Sequence, residues 1–132
     1  MTDAPNLFRN PVHLGLGASA VPQPEFTGMA WYADYVARHA QDGAEGRLVA
    51  LHCFTESWDS WEMHPCGSEV VICTEGKMTL IQELPGGEVT TVTLGPGDYA
   101  VNGPGVWHTA DIDGSATGLF ITAGQDTQHR SR

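Results

Sequence analysis

Glu62 and His64 stand two residues apart in Trp61-Glu62-Met63-His64, and on a strand the period of two turns both side chains to one face. The Pro65-Cys66-Gly67 step that follows should turn the chain. Glu69 then opens Val70-Val71-Ile72-Cys73-Thr74-Glu75-Gly76, an apolar run that reads as a buried strand. From that neighbouring strand Glu69 can face back toward the first pair. Two carboxylates and an imidazole converging inside a small domain are costly to bury unpaired, so a bound cation or a hydrogen-bond network is expected among them.

The elements that must position these residues read as follows. Residues 1 to about 27 hold Pro5, Pro11, Pro22 and Pro24 with the apolar Val12, Leu14, Leu16 and Val21, an arm expected to pack on the body or on a partner subunit. His13 in this arm reads as a surface or packing residue. From Met29 to about Gln41 the period changes: Trp31, Tyr32, Tyr35, Val36 and His39 fall at helical spacing, Asp34 can pair with Arg38, and Gly43 and Gly46 supply the stop. The aromatic stripe of this helix is read as core packing or a dimer contact. Arg47 to Phe54 begins the strands, with Leu48, Ala50, His52 and Phe54 on one face; His52 joins a pocket if that face is inward.

Lys77–Leu84 and Glu88–Leu94 flank Pro85-Gly86-Gly87 as a hairpin, Tyr99–Asn102 is a short strand, and Pro104-Gly105 leads into a strand over Trp107–Asp111. Gly76 and Asp113-Gly114 read as turns, with Ala116–Ala123 the closing strand. Gly124–Arg132 reads as a disordered polar end or a flap over the barrel mouth or a partner. At least seven strands, one short helix and no alternating βαβ pattern favour an all-β barrel or sandwich. The expected division is an arm and helix over 1–46, a barrel over 47–123 and a tail over 124–132.

At 132 residues the chain is one domain by size, and its 16 Gly and 8 Pro suit turns between strands. A formal charge of -10 argues against nucleic acid and against anionic membrane surfaces, leaving a small soluble ligand as the default partner. Cys53, Cys66 and Cys73 form no Cys-x-x-Cys pair and fit a reducing compartment; with no leader-like or membrane-length apolar run, the expected location is cytoplasmic.

The spacing of His64, Glu69 and Gly76 resembles the first motif of the cupin superfamily, in which a His-x-His pair precedes Glu and then Gly. Glu62 stands where most metal-binding cupins have the first His. Gly97-Asp98-Tyr99-Ala100-Val101-Asn102-Gly103-Pro104-Gly105-Val106-Trp107-His108 resembles the second motif, with Gly103-Pro104 in place of its usual proline order and Ile112 where Asn is common. The resemblance spans roughly residues 47–123. It implies a jelly-roll β-barrel, a homodimer, and a metal site at Glu62, His64, Glu69 and His108.

That ligand set suits divalent Fe, Mn, Ni, Co or Zn and leaves two octahedral positions open. The resemblance implies oxygenase, isomerase, decarboxylase or lyase chemistry on a small polar molecule. The competing reading is a non-catalytic module for a sugar or small carboxylic acid, with Trp58 or Trp107 as a stacking wall. Without a metal, Glu62 and Glu69 would lie close enough to raise one pKa, and one of them could work as general acid or base with His64 or His108. Trp58 is either that wall or a core cap with a hydrogen-bonded indole. Cys73, sharing parity with Glu69 and Val71, lines the pocket or is a packed, inert thiol. His52, Trp58, Cys73 and Trp107 are therefore the candidate substrate contacts.

Overall fold

The strands that carry the candidate ligands are long, bent and paired on both sides. In the computed structural model, which describes residues 3–132, the order is β1 (Val12–Gly15), β2 (Ser19–Pro22), α1 (Trp31–Arg38), β3 (Arg47–Phe54), β4 (Ser60–Met63), β5 (Glu69–Glu83), β6 (Val89–Leu94), β7 (Tyr99–Asn102), β8 (Trp107–Thr122) and β9 (Gln128–Ser131). The first two residues of the expected arm lie outside the described residues. All pairings are antiparallel, as sequential strands joined by short turns permit.

β8 is the axis. Its second half lies between β3 (Ala50↔Phe120) and the first half of β5 (Val71↔Phe120), and its first half between β4 (Glu62↔His108) and the second half of β5 (Gln82↔His108). Thr122 and His108 stand near opposite ends of β8, which would separate them by roughly 45 Å on a straight strand. Yet Glu69 touches both. β8 must therefore fold over, with β5 bending alongside it, and the two positions read from sequence as turns, one on each strand, are where they do so.

Gly76 and Gly114 adopt left-handed φ values of 75° and 80°, and the β5–β8 register shifts between Cys73 and Glu75 and again between Gly76 and Met78. These are bulges within continuous strands rather than chain reversals. A Cβ on Gly76 would lie 2.1 Å from the Ser115 carbonyl oxygen, so only glycine fits there. The bends close the sheet around a core of Val71, Cys73, Met78, Leu94, Ala110 and Phe120. Fully burying a side chain such as Met78 or Leu80 stabilises the fold by about 1.5–3 kcal/mol.

Both ends of the chain add strands. The arm forms the β1–β2 hairpin and pairs with β3 through Val12↔Val49. Helix α1 follows, anchored by Trp31, which is buried, stacked on Tyr35 at 5.4 Å and hydrogen-bonded from Nε1 to the Pro24 carbonyl at 3.1 Å. The tail is ordered as β9 on the outer edge of β4 (Glu62↔His129), where Arg130 stacks on Trp61 and Trp107 with its guanidinium 5.0 and 4.6 Å from the ring centres and pairs with Glu83.

Candidate metal centre

The β4–β8 pairing sets Glu62 opposite His108, and His64 leaves β4 just beyond its end, its carbonyl accepting from the Gly105 amide at 3.1 Å. The Pro104-Gly105 turn is thus tied to the His64 backbone. Glu69 enters from the start of β5. His64 Nε2 lies 3.4 Å from Glu62 Oε1 and 3.2 Å from Glu69 Oε2, and His108 Nε2 lies 3.2 Å from Glu69 Oε1. His64, Glu69 and His108 are all nearly inaccessible, whereas the Glu62 side chain keeps 30% of its exposure and marks the open side.

The outer hydrogen bonds fix which ring nitrogens carry protons. The Thr127 hydroxyl has one proton, given to the Gly124 carbonyl at 2.9 Å, so at 2.8 Å it accepts from His64 Nδ1–H. Val106 offers only a carbonyl, so His108 Nδ1–H donates to it at 3.2 Å. In the neutral rings both Nε2 atoms then present lone pairs inward. Both are buried and neither makes a hydrogen bond, because their approach to Glu69 lacks the alignment of one. Glu69 is itself supplied from behind, by Asn102 Nδ2 at 3.0 Å and the Thr122 hydroxyl at 2.6 Å.

Two nitrogen lone pairs and two carboxylates facing one another leave an electron-rich hollow with no donor in it. The candidate ligand atoms of Glu62, His64 and His108 lie within 4.8 Å of one another. Atoms sharing a first-row cation at about 2.0–2.2 Å stand roughly 3–3.5 Å apart, which matches the contacts here. The residues therefore fit a divalent metal on donor type, spacing and protonation.

Electrostatics agree. Burial would raise the Glu69 carboxyl, but His108 and His64 overcome that and hold it well below the usual carboxylate range. His108 is raised despite its burial, chiefly by Glu69. Glu62 is raised, by burial first and then by Glu69. Cationic charge is wanted in this hollow, whether it arrives as a proton or as a metal.

Tyr32 belongs to the same neighbourhood. Burial, then Glu62 and Glu69, push its phenol up to about 12, so it remains a neutral O–H group. Helical periodicity finds the aromatic stripe of α1 but not where the helix docks. Asn102, Thr122 and Thr127 also escape a sequence reading, since only strand register and the tail's path bring them to Glu69 and His64.

His52 and Phe54 share the inward face of β3 with Leu48 and Ala50, and burial lowers the His52 pKa, favouring the neutral ring. The aromatic wall continues from Phe26 to His52 at 5.4 Å, His52 to Phe120 at 5.9 Å, Phe54 to Trp58 at 5.5 Å and Trp58 to His108 at 6.2 Å between ring centres.

Two expected contacts are not brought to this wall. Trp107 adjoins His108 on β8, so the same period of two turns it outward beneath Arg130. Cys73 has the inward parity but lies fully buried in the core, its Sγ directed at the Glu75 and Gly76 carbonyls and its pKa raised by burial. It is a packed thiol.

A second group of like composition, His13, His39 and Asp42, lies under the arm. His13 is buried, with Nδ1 2.7 Å from the Tyr35 hydroxyl and Nε2 2.5 Å from Asp42. His39 stacks on it at 3.7 Å. Both His13 nitrogens are occupied, so this group knits β1, α1 and the turn after α1.

No protein-family model and no curated protein matches the chain. Among solved structures, one of oxalate oxidase superposes with a TM-score of 0.57 at 17% identity over 71% of this chain and 50% of that one; a recombinant oxalate oxidase in complex with glycolate gives 0.58 at 16% over 73% and 51%. A cupin-2 domain protein from Shewanella frigidimarina aligns at 0.49 and 21% over 58% of this chain and 69% of that one. The chain spans about half the length of the oxalate oxidases. The fold is the cupin-type jelly-roll barrel.

Proposed function

We propose that the protein is a small metal-dependent cupin in which His64, Glu69, His108 and Glu62 hold one divalent ion of the Fe, Mn, Ni, Co or Zn class and a small molecule is transformed at its open side. The observation that supports this most is the proton count: both Nε2 lone pairs and both carboxylates point into one buried hollow that holds no donor. When bound, such an ion supplies Lewis acidity, and iron or manganese also one-electron chemistry. Oxygenation, isomerisation, decarboxylation and lyase chemistry all remain within this class.

The chain's own residues divide the remaining work. Asn102 and Thr122 orient Glu69, Thr127 orients His64 and the Val106 carbonyl orients His108, the kind of outer support that metal ligands need. Tyr32 offers a neutral donor toward the acidic side, and Trp58 with His52 walls the approach. The homodimer expected from the arm belongs to this reading, with Leu14, Leu16 and Val21 exposed on the hairpin; light scattering at twice the chain mass checks it.

Elemental analysis of untagged protein purified without chelator is the test. Near-stoichiometric metal in the wild type and its loss in His64→Ala, with an unchanged circular dichroism spectrum, is the expected result. Metal content that ignores His64 overturns the assignment. The aromatic wall favours a second reading, a binding module without turnover, which predicts ligand uptake and no product.

A further inference from the structure

Trp58 and Glu62 each hold a polar group beside the candidate centre that has no hydrogen-bond partner among the described residues. Trp58 Nε1 is buried and meets no acceptor, although its ring stands edge-on to His108. Buried indole N–H groups ordinarily find an acceptor, so this one is left for something that enters. Glu62, on the open side, accepts no hydrogen bond from the chain, whereas Glu69 accepts two. Bound to a metal through one oxygen, Glu62 still offers the other.

The charges around the site narrow the ligand further. All six Lys and Arg side chains are committed elsewhere or exposed. Arg38 donates to Gln23, Arg130 pairs with Glu83, Arg132 pairs with Asp111, and Arg9, Arg47 and Lys77 are exposed. A divalent ion with Glu62 and Glu69 sums to zero. An anionic ligand would set its charge against Glu62 with no basic side chain to answer it. Trp58 Nε1–H, the Tyr32 hydroxyl and the free oxygen of Glu62 serve two or three oxygens, fewer than the hydroxyls of a sugar ring. What surrounds them is Phe54, His52, Phe26 and Trp58, inward-facing rings that are only half-buried and so border open space.

We propose that the ligand is an uncharged hydroxy-aromatic compound of the phenol or catechol class, one hydroxyl donating to Glu62, an oxygen accepting from Trp58 Nε1–H, and the ring lying against the aromatic wall. This rests on the metal reading above and names the substrate class for it. It separates this chain from its fold neighbour oxalate oxidase, which is seen with glycolate.

The test is calorimetric titration of zinc-loaded protein, with zinc content measured beforehand, using catechol, oxalate and methyl glucoside as probes. Catechol is expected to bind more tightly than the other two. Trp58→Phe should weaken catechol about tenfold, the cost of one hydrogen bond to a buried donor, while zinc content stays unchanged. Phe54→Leu, which shortens the wall and leaves the donor, should weaken catechol a few-fold and serves if the Trp58 variant does not fold. Tighter binding of oxalate or methyl glucoside, or catechol affinity indifferent to both variants, overturns the proposal while leaving the metal reading intact. A wild-type protein that takes up no zinc, iron or manganese overturns the metal reading, and this proposal with it.

Discussion

The barrel and the arm each gather two histidines and at least one carboxylate, and the two groups differ in one respect. In the arm, His13 is saturated: Tyr35 donates to one ring nitrogen and the other donates to Asp42. In the barrel, the outer nitrogens of His64 and His108 are spoken for and the inner ones are not. Residue types alone would give the two groups the same rank as metal sites. The hydrogen-bond inventory separates them by degree: the arm leaves one buried ring nitrogen unpartnered, His39 Nε2, stacked beside a saturated His13, whereas the barrel turns two toward two carboxylates, which makes the barrel group the stronger candidate for a cation.

Replacing residues in each group tests that contrast most sharply. His108→Ala is expected to drop metal content from near one equivalent to near none, while His13→Ala leaves it at the wild-type level; elemental analysis of both purified variants decides. The reverse should hold for stability. His13→Ala removes a buried ring and strands Tyr35 and Asp42, at a cost of about 2–4 kcal/mol in denaturant unfolding of the metal-free protein. An H13A chain with lost metal and wild-type stability would exchange the two assignments.

A smaller effect is expected at Thr127. Thr127→Val keeps the shape but removes the acceptor that fixes His64 Nδ1–H, and should weaken zinc binding about tenfold. Thr127→Ser should restore it. Equal affinities for the valine and serine variants, measured by competition with a zinc indicator, would make the tail a structural strap only.

The pH dependence distinguishes the occupied centre from the empty one. Glu69 has its pKa lowered from 4.5, so its stabilisation is present above 4.5 and is lost as pH falls through the folded value. His108 is raised from 6.5, so its contribution is full below 6.5 and is lost as pH rises through the folded value; Glu62, raised from 4.5, also loses stabilisation as pH rises. From Glu69 and His108 together, the metal-free protein gains most between about pH 4.5 and 6.5. Zinc reverses the upper limb, because its ligands must shed protons. The zinc-induced rise in Tm should therefore grow from pH 6 to 8, and a flat profile by differential scanning fluorimetry would place zinc elsewhere.

Much of the barrel was legible in the sequence because period two is a strong signal. Glu62, His64 and the Glu69 strand follow from it, as do the face that His52 shares with Leu48, Ala50 and Phe54 and the hairpin around Pro85-Gly86-Gly87. The resemblance added His108 and the jelly roll. The same period applied to the step from His108 to Trp107 would have turned the tryptophan outward, and parity alone could not show that Cys73 lies in the core below the site. Gly76 and Gly114 looked like turns because glycine marks left-handed backbone, which serves a bulge as well as a reversal. The tail looked disordered because an exposed edge strand such as β9 carries no apolar alternation. Tyr32 and Thr127 were out of reach, since docking of one element on another is not written in either element's own period.

The pairing of Glu69 with Thr122, and its reach back to His108, also sets the tempo of folding. Neither half of the centre lies near the other in the chain, so β5 must wait for β8, and barrels dominated by such distant pairings typically fold in milliseconds to seconds. During that interval Val70-Val71-Ile72 has no neighbour on either edge and is open to pairing with another chain. Slow synthesis at low temperature should accordingly raise the soluble yield, and an ion supplied early would find the four candidate ligands not yet brought together.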